Sequence, residues 1–227
     1  MMCVVGVDGC RGGWLAVALT ADVATARVFR HFGELLHAYP AAVAFAVDMP
    51  IGLWASGRAR ARPCDDIAKK RLGKRAACVF IPPTRAMLRA TSYVPLRAEG
   101  LSVQAYNLIP RIRELDMLIT PELQERVWES HPELSFAAMT GKPIADSKHT
   151  ARGQAARRHA VLHAVGMENS QLDALWCSCR HAGASYDDLL DAVALAWSAW
   201  RHTMNQSEVC VGEPLRDERG LLMAIRF

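Results

Sequence analysis

Four aspartates and one glutamate stand where a carboxylate is costly unless it has work to do. Asp8 follows the apolar run MCVVGV, Asp48 follows VAFAV, Glu129 follows VW in ERVWESHPE, and Asp188 and Asp191 lie three apart in SYDDLLDAVALAWSAW. A strand delivers such a side chain to a sheet edge on rigid backbone. Carboxylates gathered from strand ends and a buried helix repel one another strongly unless a cation lies between them. Oxygen-only donors favour Mg2+ or Mn2+ over zinc. Two such ions, roughly 4 Å apart, activate a water and stabilise the leaving oxygen of an in-line phosphoryl displacement. The chemistry implied is metal-dependent hydrolysis of a phosphate ester. Asp8, Asp48, Glu129 and Asp191 are its candidate catalytic carboxylates, and Asp188 is a further metal ligand.

Each acid also has an ordinary explanation. Asp8 precedes Gly9, and Asp beside Gly commonly hydrogen-bonds its own turn. Asp187 and Asp188 would suit the first turn of a helix capped by Ser185, where the helix dipole favours negative charge. Glu129 could instead form a salt bridge to a basic helix. Asp191 fits such accounts less well. From Leu189 to Trp200 the helix is apolar almost all round, and a carboxylate there is costly unless paired or ligated to a cation. Few basic residues lie beside it in sequence. If repulsion dominates, Asp191→Asn is expected to melt at or above the native protein in a chelator.

The positioning elements can be read from periodicity and punctuation. Strands are expected at 2–8, 14–20, 23–29 and 43–48, with a short helix at 32–39. Gly9, Gly12 and Gly13 are expected to supply a turn with positive φ between the first two strands. A three-stranded meander, then helix and strand, indicates a mixed α/β sheet. If the first and fourth strands are neighbours, Asp8 and Asp48 lie about 5 Å apart, one strand spacing. A basic helical insertion is expected at about 63–118, punctuated by Pro82, Pro83, Pro95 and Pro110. A strand at about 126–130 and helices at 151–165, 169–178 and 186–202 follow. The tail LLMAIRF reads as a last edge strand.

The 227 residues are 51% hydrophobic, ample for a core in a single domain spanning 1–227. The formal net charge of +4 is concentrated in RARAR at 58–62, KKRLGKR at 69–75 and KHTARGQAARRH at 148–159. Such clusters suit a polyanion, and Arg11, Arg85, Lys148 and Arg152 are candidate contacts to nucleic-acid phosphates. The seven cysteines form no CxxC pair and no zinc-ligand spacing, so reduced thiols are expected. No stretch is long and apolar enough to span a bilayer, and no secretory signal precedes the first strand, which points to the cytoplasm. The Trp-rich last helix would suit a homodimer.

Taken together, GVDGCRGGW, DMPIGL, RPCDDIAKKRLGKRAACVFIPP, WESHPELSF, DSKHTARG and DDLLDAVALAWSA resemble the domain-of-unknown-function family 429, whose members are labelled predicted RNase H-like nucleases. The resemblance spans nearly the whole chain. It implies a ribonuclease H-like fold: a mixed five-stranded sheet in the order 3-2-1-4-5, flanked by helices. It also implies acids on the first strand, on a later strand and on the last helix, which fall on Asp8, on Asp48 or Glu129, and on Asp191 with Asp188. The Asp-x-x-Asp spacing is similar to that of RuvC-type resolvases. Ala77 and Cys78 stand in a block where members commonly show a Ser. Two other functions go with such a fold. One is a non-catalytic nucleic-acid-binding or assembly module, which loss of the acids would have favoured. The other is an actin-like phosphotransferase, which needs a second domain and a second phosphate loop.

Overall fold

A computed structural model describes residues 2–227. Seven strands and eight α-helices are present: β1 (Cys3–Cys10), β2 (Gly13–Leu19), β3 (Ala24–Phe29), α1 (Phe32–Ala38), β4 (Ala42–Val47), α2 (Pro63–Leu72), α3 (Val94–Ala98), α4 (Val103–Leu118), β5 (Val127–Glu129), α5 (Pro132–Thr140), α6 (Ala151–Val165), α7 (Asn169–Cys179), α8 (Tyr186–Thr203), β6 (Val209–Cys210) and β7 (Ile225–Arg226). Five strands form one mixed sheet in the order β3-β2-β1-β4-β5, flanked by helices. β1 and β2 are antiparallel, β2 and β3 antiparallel, and β1 and β4 parallel. This is the expected α/β sheet in the expected order. The tail departs from expectation: β7 pairs with β6 in a separate two-stranded sheet.

Contacts divide the chain into two compact units. The first contains the chain up to Asp48, Ser130–Glu208 and Arg226–Phe227; the second contains Met49–Glu129 and Val209–Ile225. The insertion expected at 63–118 thus belongs to a larger unit. Pro110 does not punctuate it, because it lies inside the sixteen-residue helix α4. The cost of a proline there is met by an apolar face of Ala105, Ile109, Ile112 and Leu115, all buried.

The first unit is organised by α8 lying directly on β1. Leu189 to Ala196 are all buried, as are Val4, Val5 and Val7 of β1. A methyl group built on Gly6 would fall inside contact distance of the Ala192 carbonyl and the Ala196 amide, so only glycine lets the helix backbone reach the strand. Residues i and i+2 share a sheet face, so Asp8 lies on the face that α8 covers. Gly6→Ala is therefore expected to destabilise the protein by about 3 kcal/mol or more through overpacking. Urea unfolding followed by circular dichroism measures this, and a loss under about 1 kcal/mol would contradict direct helix-on-strand packing.

Candidate functional site

The hairpin that carries Asp8 differs in detail from the expected turn. β1 continues through Gly9 and Cys10, which pair with Trp14 and Gly13. Asp8 thus lies two residues before the end of the strand on that side. Of the three glycines, Gly13 alone takes positive φ, at 129°. Gly12 is required for another reason: a Cβ there would collide with the Ala182 carbonyl.

On its other side β1 pairs in parallel with β4, up to Val7 opposite Val47. The Asp48 amide then donates to the Val7 carbonyl at 2.9 Å, extending the ladder by one step. Asp8 and Asp48 are consequently side by side in register and on the same sheet face. α8 brings the next two acids. Ser185 caps it, its hydroxyl accepting from the Asp188 amide at 3.1 Å, while Asp188 Oδ2 accepts from the Ser185 amide at 2.7 Å. Asp188 is thus a capping residue with one oxygen engaged. Asp191, one turn on, is buried.

The electrostatics show that these groups feel one another. Burial, and then the charges of Asp48, Asp191 and Asp188, hold the Asp8 pKa well above its ordinary 3.8, against the opposing effect of Lys148. Asp48 is also raised, by burial and by Glu133, while His131 and Lys148 pull it down. Burial lifts Asp191 to about 6 even though Lys148 lies against it. Lys148 Nζ donates to Asp191 Oδ2 at 2.6 Å. Burial works against this ammonium, but Asp191, Asp8 and Asp48 together outweigh it and hold its pKa above the ordinary range. The partner missing from the local sequence of Asp191 is thus supplied 43 residues upstream.

The structure brings together Asp8, Asp48, Asp188, Asp191 and Lys148. It places the other candidates elsewhere. Glu129, in the second unit, is clamped by Arg62: Nη2 donates to Oε1 at 2.6 Å, Nη1 donates to Oε2 at 2.7 Å, and the Ile51 amide also donates to Oε2 at 2.8 Å. Arg62 precedes α2 and also binds Asp65, so the ion-pair alternative describes Glu129. Arg85 is occupied by Asp116, Asp217 and Glu218, which leaves it no guanidinium nitrogen directed to a phosphate. Arg152 is exposed and pairs with Asp146 at 3.1 Å. Arg11 is exposed at the β1–β2 turn.

Besides Lys148, which turns to Asp191, two basic residues of these clusters are buried. Arg62 is one, and Arg157 is the other: buried, it donates to Glu133 at 2.6 Å and to the Asp146 and Gly153 carbonyls. His131 and Glu133, next to the site through their charge on Asp48, were missed by sequence reasoning. The available signal was WESHPE itself, in which Pro132 opens α5 and His131 precedes it.

As donors, Asp8, Asp48 and Asp191 suit a hard divalent cation, being oxygen-only and mutually repelling. As arranged, however, they do not yet form a cage: among the described residues no three His, Cys, Asp or Glu side chains are placed to hold a metal ion. One carboxylate is on Lys148 and another on the α8 cap.

A family model described as "Protein of unknown function (DUF429)" matches residues 6–216. The chain belongs to this family. No curated protein matches the chain, and no solved structure matches it. The DUF429 match contains all five carboxylate candidates and Lys148.

Three variants test these assignments. A raised folded pKa means that the folded chain binds protons more tightly than the unfolded one, so the Asp8 contribution is favourable in acid and is lost as pH rises from about 4 upward. In EDTA, Asp8→Asn, which can still accept from the Gly9 amide, should melt above the native protein at pH 7, and the difference should shrink toward pH 4. An Asn variant melting well below native at pH 7 would show that the charge is compensated. Lys148 offsets part of the same cost at Asp191, whose pKa is still raised to about 6, so Asp191→Asn should gain less at pH 7 than Asp8→Asn. Arg62→Met, which strands the buried carboxylates of Asp65 and Glu129, should cost about 3–5 kcal/mol by urea unfolding. A loss under about 1 kcal/mol would remove the clamp from the account.

Proposed function

We propose that this protein is a divalent-metal-dependent phosphodiester hydrolase of the ribonuclease H-like kind, acting on nucleic acid. The observation that carries the reading is the register of β1 and β4, which sets Asp8 beside Asp48 on the face covered by α8, where Asp191 enters the same electrostatic cluster. Support also comes from the sheet order 3-2-1-4-5, with one acid on the first strand, one after the fourth and one on the last helix.

Asp8, Asp48 and Asp191 would hold Mg2+ or Mn2+, with Asp188 contributing its second oxygen. Such an ion lowers the pKa of bound water and stabilises charge on a leaving oxygen. The chain's own residues do the rest. Burial excludes bulk water, and the sheet and α8 fix the carboxylates before substrate arrives. Lys148 offers a cation to a phosphate. Arg11 and Arg152, exposed in the same unit, can follow the backbone of a polyanion. In the second unit Lys70, Arg71 and Lys74 form an exposed basic stretch of the kind that binds a polyanion. Arg85 is withdrawn from this role by its three carboxylates. No helix of the described residues is long and apolar enough to cross a membrane, compatible with action in the cytoplasm. A homodimer remains compatible with this reading.

The test is cleavage of labelled RNA, DNA, hybrid and branched substrates with Mg2+ or Mn2+. EDTA should abolish it, and Asp8→Asn and Asp48→Asn should each lower the rate at least about 1000-fold. Undiminished cleavage by either variant, with contaminating nuclease excluded, would overturn the reading.

A further inference from the structure

The carboxylate cluster already contains a cation, and that cation is part of the chain. Lys148 Nζ lies 2.6 Å from Asp191 Oδ2, on an acid that a hydrolytic metal site would require. The two ends of this pair differ in access: the Asp191 side chain is 4% exposed and the Lys148 side chain 33%. The Lys148 side chain is therefore the member of the pair that a phosphate arriving from solvent meets first, whereas a metal ion cannot take that Asp191 oxygen while the ammonium remains.

The backbone that mounts Lys148 is held on both sides by hydrogen bonds, while its side chain is fastened at the ammonium alone. It lies in the irregular segment between α5 and α6. The preceding residue is fixed, since the Ser147 carbonyl accepts from the Thr150 amide at 3.0 Å and its hydroxyl at 2.8 Å. A Cβ on Gly153 would collide with that carbonyl, so glycine lets the segment lie against α6. On the other side, Gln154 donates to Asp187 at 2.9 Å and His149 faces Asp187 at 3.6 Å, which ties α6 and the segment to the start of α8. A four-carbon stem on such a base can swing its point charge without moving the loop.

We propose that Lys148 is a latch whose ammonium occupies Asp191 until a phosphate of an incoming polyanion draws it off, so that polyanion and divalent metal bind cooperatively. This rests on the hydrolase reading above. A ligand shifts such an equilibrium only through its different affinity for the two states, and here the polyanion favours the open state and the metal requires it. The coupling is reciprocal: the factor by which polyanion tightens metal equals the factor by which metal tightens polyanion. A lysine that merely neutralised buried charge would show no such link to polyanion binding.

Calorimetric titration of the full chain with Mn2+, alone and with a cleavage-resistant phosphorothioate oligonucleotide, tests this in native protein, Lys148→Met and Lys142→Met. Without oligonucleotide, Lys148→Met should bind Mn2+ about tenfold more tightly than native, and Lys142→Met, an exposed positive charge lost six residues away, within twofold of native. The oligonucleotide should tighten Mn2+ binding to native protein about tenfold and to Lys148→Met less than twofold. Equal or weaker Mn2+ binding by folded Lys148→Met, or no effect of oligonucleotide on native protein, overturns the latch and leaves the hydrolase reading standing. Absence of Mn2+ binding in native protein and both variants overturns both. If Lys148→Met does not fold, the side-chain 15N resonance of Lys148 decides in native protein: it should leave its Asp191-bonded position when oligonucleotide is added, and an unmoved resonance overturns the latch.

Discussion

Like charges buried on one sheet face, compensated by Lys148 and, at Asp48, by His131, are the constraint on which the rest of the first unit depends. Burial alone pushes Asp8, Asp48 and Asp191 toward their neutral forms, and their mutual repulsion adds to it. A fold does not retain that cost for stability. An apolar residue at each position would pack against α8 without it, since Leu189 to Ala196 already form a continuous buried surface. On the proposed reading, the arrangement is stored charge that a divalent cation would neutralise.

The same unit shows how the strain is contained. Gly6 admits the α8 backbone onto β1, so the acids of helix and strand cannot separate without breaking the core. The buried pair of Arg157 and Glu133 fastens α6 to α5, and the Ser198 hydroxyl donates to that of Ser135 at 2.8 Å between α8 and α5. Lys148 hangs from the segment these helices enclose. Within the second unit Arg62 spends its donors on Asp65, Glu129 and the carbonyls of Ile51 and Gly52, and thereby fixes the turn that follows Asp48.

Much of this was legible in the sequence because it rests on period and position. The apolar runs ending at Asp8 and Asp48 marked two strands, and the family resemblance implied the strand order that puts β1 beside β4 and so sets the two carboxylates side by side. Asp191 stood out because a charge in an all-apolar helix demands a partner. What could not be read was which partner. Lys148 and Arg62 are both members of basic runs, and composition cannot say which residue of a run turns inward; that depends on a glycine at 153 or a carboxylate at 129 meeting it in space. Glu129 followed a strand much as Asp48 did, and only the guanidinium placed against it separates a structural acid from a candidate ligand. Pro110 misled for a related reason, since tertiary burial of one α4 face outweighs a single missing hydrogen bond.

The central claim is that Asp8, Asp48 and Asp191 together receive a divalent cation that Lys148 otherwise replaces. Anomalous diffraction at the manganese edge, from crystals of the native chain soaked in Mn2+ with a phosphate-bearing ligand, tests it most directly. The account predicts an anomalous peak bonded to carboxylate oxygens of all three aspartates, with Lys148 Nζ moved off Asp191 and onto phosphate. A cluster free of anomalous density, with Lys148 still hydrogen-bonded to Asp191, would contradict it.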